Sequence, residues 1–152
     1  MHTKITEVTQ NKKEYLPLLL LGDEQESMID RYLARGKMLV LRTGTVPIGV
    51  CVFTDEGDGV FEIKNIAVSK AFQRCGYGKQ LLTAAENVCR ACGGTGLQVG
   101  TGESPLTVPF YEACGFRYSH RIPNFFTENY DHPIFEGGVQ LRDMVYFKKD
   151  LK

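Results

Sequence analysis

Residues 62–79, EIKNIAVSKAFQRCGYGK, decide how the rest of the chain is read. An apolar run over 60–68 has the look of a strand and feeds straight into a glycine-rich turn, Gln73-x-x-Gly76-x-Gly78, that opens a helix. Two glycines in such a turn keep side chains out of the way of an approaching ligand and tolerate positive φ. The helix that follows points unpaired N–H groups, and the positive end of its dipole, into the same space. Those conditions suit a phosphate or pyrophosphate, so the local chemistry proposes a nucleotide-like cofactor.

Working outward, the order of elements is that of a mixed sheet flanked by helices. A short strand over 3–8 precedes helical stretches over 12–21 and 24–35, the second ending at Gly36. Strands over 37–42 and 48–54 read as an antiparallel hairpin, with 60–68 paired behind it. After the glycine turn, Leu81, Leu82, Ala85, Val88, Cys89 and Cys92 recur at helical spacing. Then come a strand over 97–101, a short helix over 105–114, a strand over 116–121, an ordered loop over 122–138 and a closing strand over 139–148. This order predicts an α/β (α+β) protein with a mixed, mostly antiparallel central sheet of about seven strands.

The 152 residues are read as a single domain, 1–152, long enough for a real core. Eighteen basic residues balance eighteen acidic ones, so no overall field favours nucleic acid or an anionic membrane. No apolar run approaches the roughly 20 residues that span a bilayer. The N-terminus lacks the apolar segment of a signal peptide, so a cytoplasmic location is expected. Five cysteines fall mostly at positions where a small apolar residue would serve. Cys89-x-x-Cys92 has no second pair at ligand spacing, and His120 and His132 have no metal-spaced partners, so no metal is expected.

A lone Gly-x-Gly is weak, and the Rossmann and P-loop spacings are absent. A second landmark strengthens it: Phe110-Tyr111-x-x-x-Gly115-Phe116, a helix end with a tyrosine one turn before its glycine. With Ile66-Ala67-Val68 ahead of Gln73-x-x-Gly76-x-Gly78, the chain resembles the GNAT family of N-acetyltransferases, from end to end in its order of elements. The resemblance implies acetyl-CoA as cosubstrate. It assigns the pantetheine arm to the main chain of Ile66, Ala67 and Val68, and the pyrophosphate to the turn Gln73, Arg74, Cys75, Gly76, Tyr77, Gly78 and Lys79. Ser104 stands where relatives often carry an asparagine on the coenzyme arm.

The same resemblance makes Tyr111 the general acid for the departing thiolate. Glu62 occupies a strand position from which relatives recruit a carboxylate base, directly or through water. Two readings of Glu62 stay open, a base or a solvent-facing residue beside Lys64 on an alternating strand. Relatives that carry the base on the next strand would place it at Gln98, which cannot take a proton.

The acceptor side is read from residues 124–136. Phe125, Phe126, Tyr130 and Phe135 supply apolar surface and Glu128, Asp131 and Glu136 negative charge. They form either a lining that suits a cationic amine, or a long loop that its aromatics anchor while its acids face water. The expected activity is therefore transfer of acetyl to a primary amine of a small cationic molecule, by direct attack in a ternary complex. A protein amine as acceptor and a non-catalytic acyl-CoA sensor are the alternatives. A homodimer paired through edge strands is expected by analogy alone.

Overall fold

The computed structural model describes residues 2–152. β1 (Thr3–Val8), β2 (Lys37–Thr43), β3 (Val46–Asp55) and β4 (Val60–Val68) form an antiparallel run. A crossover through α3 (Tyr77–Ala91) then places β5 (Gly96–Gly102) parallel to β4. The C-terminal β9 (Met144–Asp150) inserts between β5 and β6 (Arg117–Ile122), which gives the order β1-β2-β3-β4-β5-β9-β6. The seven-stranded, mostly antiparallel sheet agrees with the fold read from the sequence.

Two cores sandwich the sheet. On one face α3 buries Leu81, Leu82, Ala85 and Cys89 against Phe53, Phe61, Ile63 and Leu97. On the other, Leu19 of α1 (Leu16–Gly22) and Ile29 of α2 (Glu26–Ile29) join Tyr32 and Leu33 over Met38, Val40, Val50 and Val52. Covered on both faces, β2 and β3 read as continuous apolar runs rather than alternating ones. Each such side chain contributes roughly 1.5–3 kcal/mol on burial.

The boundaries differ in instructive places. The stretch over 12–21 splits into a 3-10 turn, Lys12–Tyr15, and α1, because Pro17 fits only the first turn of a helix. The expected helix over 24–35 shrinks to α2. Past it, Arg31 and Tyr32 bond back three residues instead of four, while Lys12 Nζ takes up the carbonyls of Leu33 (2.9 Å) and Gly36 (2.6 Å). Met28, Ile29, Tyr32 and Leu33 share one buried face all the same.

The loop expected over 122–138 contains α5 (Phe125–Asn129) and the first strand of a small hairpin, β7 (Phe135–Glu136) with β8 (Val139–Gln140). Gly137 and Gly138 both take positive φ, 58° and 77°, as a tight hairpin turn requires. Phe126, Ile134 and Leu141 give this insert a core of its own. α4 (Val108–Ala113) is shorter than expected and ends at Gly115, whose φ of 92° makes the left-handed exit.

One irregularity positions the site. Val52 faces Asn65 and Phe53 faces Ile63, so Lys64 is an extra residue in β4. The bulge resets side-chain parity. Phe61 and Ile63 pack in the α3 core before it, and Ile66 and Val68 pack against the same core after it. Asn65 and Ala67 turn toward α1.

Candidate active site

β4 and β5 pair only from Val60↔Gly96 to Ile63↔Val99, and past the bulge they part. The gap is a cleft of ≈ 140 Å³ lined by Asn65, Ile66, Val99, Thr101, Tyr111 and Glu136, among others. Parted strands leave ladder groups unpaired on both sides, which is what an extended chain bearing amides would complete. Asn65 was not anticipated. Its Nδ2 donates to the Leu19 carbonyl (2.9 Å) and Tyr32 Oη (3.1 Å), while Oδ1 is buried without a partner. An amide side chain directly ahead of the apolar Ile66-Ala67-Val68 was the available signal.

The glycine turn lies where β4 ends. Gln73 Nε2 donates to the Val68 carbonyl at 2.9 Å and braces the bend. Arg74 (φ 61°) and Gly76 (φ 86°) are left-handed, and a side chain at Gly76 would meet open space. α3 has no side-chain cap, and its first intrahelical bond is Gln80 N to the Gly76 carbonyl. The amides from Tyr77 to Lys79 are therefore bare, as an anion requires. Cys75 is exposed and its Sγ contacts the Gln73 carbonyl at 3.4 Å. Lys79 is exposed in the first turn. A Cβ on Gly78 would sit 3.4 Å from the Phe110 ring, so the two sequence landmarks touch.

Tyr111 is buried edge-on between Phe110 and Phe116, in the wall of the cleft. Burial pushes its hydroxyl well above the usual phenol range, so it stays protonated. Ser104 is buried at the entry to α4, with Oγ accepting from Leu106 N (3.2 Å) and donating to Glu136 Oε1 (2.5 Å). Glu136, so held, lines the same cleft as Tyr111.

Glu62 is not solvent-facing. It is 5% exposed and receives Lys64 Nζ (2.7 Å), Gln98 Nε2 (2.6 Å) and Tyr146 Oη (3.2 Å). With Met28, Arg31, Phe125, Tyr130 and Met144 it lines a cavity of ≈ 220 Å³ on the α1–α2 side of the sheet. A second cavity of ≈ 130 Å³ is lined by Phe126, Tyr130 and Glu136. Both share Lys64 and Gly100 with the cleft. Gly100 is required there, since a Cβ would fall 2.6 Å from Met144 Sδ.

The insert is clasped to the α1–α2 loop. Tyr130 Oη donates to Asp23 Oδ1 at 2.6 Å, Asp131 N to Gln25 Oε1 at 2.9 Å, and His132 bridges Asp131 (2.5 Å) and Glu24 (2.8 Å). Phe125 and Tyr130 thus reach the cavity and Phe126 also anchors the insert. Asp131 stays on the surface with its side chain 78% exposed, outside the cavity lining. Asp23, which sequence reading passed over, lines both acceptor cavities. Burial raises its carboxyl above the usual range against the pull of the Tyr130 and Tyr32 hydroxyls.

Cys89 is buried with its thiol pushed up to about 12, and burial raises Cys51 further. Among the described residues no helix is long and apolar enough to cross a membrane.

A sheet opened beside a bare helix start, with a buried phenol in the gap, defines a protein that holds an extended, phosphate-bearing acyl carrier. The acetyltransferase (GNAT) family profile matches residues 7–116. An uncharacterized N-acetyltransferase of Bacillus subtilis, YvbK, is 37% identical over 143 residues, 93% of this chain and 92% of that protein. A GNAT family acetyltransferase from Elizabethkingia anophelis with acetyl-CoA bound superposes with a TM-score of 0.92 at 33% identity, covering 97% of each chain. A Bacillus subtilis acetyltransferase in complex with CoA gives 0.89 at 35%, covering 98% of this chain and 99% of that one. The chain belongs to the GNAT family of acetyltransferases. It is an acetyl-CoA-dependent N-acetyltransferase. The bare amides, the open space at Gly76 and the parted strands fit that cosubstrate.

Proposed function

We propose that the acceptor is the primary amine of a small molecule that arrives as an ammonium ion, and that it attacks the thioester directly in a ternary complex. The observation that carries this reading is the meeting of two spaces. A cavity with Glu62 and Asp23 in its walls shares Lys64 and Gly100 with the cleft that contains Tyr111.

Glu62 accepts the proton that the ammonium must lose, directly or through water. The lone pair then forms the C–N bond as the C–S bond breaks, and Tyr111 gives its proton, or a hydrogen bond, to the departing sulfur. The second proton that the nitrogen sheds passes to water, from which the phenol is restored. The main chain of Ile66, Ala67 and Val68 pairs with the pantetheine arm and polarises the carbonyl oxygen. The turn from Gln73 to Lys79 takes the pyrophosphate. Holding both substrates against one opened sheet supplies proximity. Aromatic walls from Phe125, Phe126 and Tyr130 exclude water around the amine.

The clasp between Asp23 and Tyr130, which ties together two elements lining the cavity, supports a small acceptor over a protein amine. Competition between small amines and a peptide with a free N-terminus, followed by thiol release, tests this. Preferential acetylation of the peptide would refute it. The three donors on Glu62 give the sensor reading one point in its favour, since they already occupy its carboxylate oxygens. Acetyl-CoA binding without thiol release across a broad amine panel would decide for that reading.

A further inference from the structure

Three cations line the larger acceptor cavity, and two are already neutralised. Lys64 Nζ is 2.7 Å from Glu62, and an Arg35 nitrogen is 3.0 Å from Glu56. The third, Arg31, has no carboxylate within ion-pair distance among the described residues. One of its terminal nitrogens donates only to the amide oxygen of Asn129, at 3.2 Å.

A complementary charge lines the same cavity. Asp23 accepts from Tyr130 Oη (2.6 Å) and Tyr32 Oη (3.0 Å) and has no cation in ion-pair distance among the described residues. A half-buried carboxylate held by two phenols and the Gln25 backbone amide, and reached by the Arg31 charge only through space, has room for an ammonium as a direct countercharge. The remaining edges of the Arg31 guanidinium offer the paired N–H geometry that matches a carboxylate. One cavity therefore presents one charge of each sign outside any direct ion pair, Arg31 exposed at its rim and Asp23 half-buried, near enough to act on each other only through space.

We infer that the acceptor is a zwitterion, an amine that carries a carboxylate on the same small molecule, with its ammonium drawn to Asp23 and its carboxylate to Arg31. This rests on the transferase reading above and narrows its substrate class. Net charge on the acceptor is then near zero, and its recognition depends on two opposite poles.

The test is steady-state thiol release from acetyl-CoA with short straight-chain ω-amino acids, and with the monoamines and diamines of matching length. The amino acids should exceed both by at least about tenfold in kcat/KM, the scale of one hydrogen bond to a charged group. Arg31→Gln should collapse that ratio, acting on KM. Arg31→Glu should invert it toward diamines, a gain that only a folded enzyme can show. Equal use of all three classes, or an unchanged preference in Arg31→Glu, overturns the inference while the transferase reading stands. Release from no amine of any class overturns both.

Discussion

Gln98 and Glu62 are register partners across the one parallel pair of the sheet, and the Gln98 amide donates to Glu62 Oε1 at 2.6 Å. In the proposed mechanism two adjacent strands divide the work, Glu62 accepting the proton and Gln98 orienting its carboxylate, with Tyr146 from β9 on the second oxygen.

Changing Gln98 to Glu puts two carboxylates face to face. Like charges that close share one proton, so the acidic limb of the kcat/KM profile should move to higher pH. Gln98→Ala should lower turnover severalfold without that displacement. A pH–rate profile for each variant checks both, and a Gln98→Glu profile superposable on wild type would remove Glu62 from the proton path.

Tyr111→Phe keeps the edge-on packing with Phe110 and Phe116 and deletes only the hydroxyl. Turnover should fall by about 10²-fold, with acetyl-CoA affinity nearly unchanged. Because burial holds the phenol above its usual range, the proton-donating form persists as pH rises. The wild-type rate should therefore show no loss from this group where an exposed tyrosine ionises. Rates of both proteins across alkaline pH provide the measurement.

Gly76→Val meets no neighbouring atom, yet its φ of 86° is one that a β-branched residue resists. Folding stability should fall by about 1–2 kcal/mol. Acetyl-CoA binding should weaken far more than that loss implies, since the side chain stands over the bare amides of α3. Calorimetric titration beside thermal melting separates the two effects.

His132 lies between Asp131 and Glu24, and these acids raise its pKa in that order. A folded value above the unfolded one means the clasp is complete in mild acid and is lost as pH rises through the folded value. Amide exchange over residues 129–132 should accelerate across that rise. His132→Gln should remove the pH dependence. Exchange rates that do not change with pH, after correction for intrinsic chemistry, would refute it.

The glycine turn, the tyrosine helix end and the apolar stripe of α3 were legible because each is a local pattern that fixes its own conformation. The hairpin at Gly137-Gly138 was legible in principle, but the surrounding run lacked alternation and read as loop. Asp23 was not legible. Its partner Tyr130 is 107 residues away, and only the folded insert brings them together. The Lys64 bulge was equally hidden, since nothing in EIKNIAV marks which residue is extra, yet it sets which face each side chain serves. Asp131 illustrates the converse: an acid within an acidic-aromatic stretch was read as lining, and one residue of phase put it on the surface.

The most direct test of the account is thiol release from acetyl-CoA with and without a responsive amine, paired with the intact mass of the enzyme during turnover. Release should require the amine, match acetylated acceptor one for one, and leave the protein unacetylated. Release without amine, or an acetyl group carried on Cys75 before transfer, would contradict direct attack in the cleft between β4 and β5.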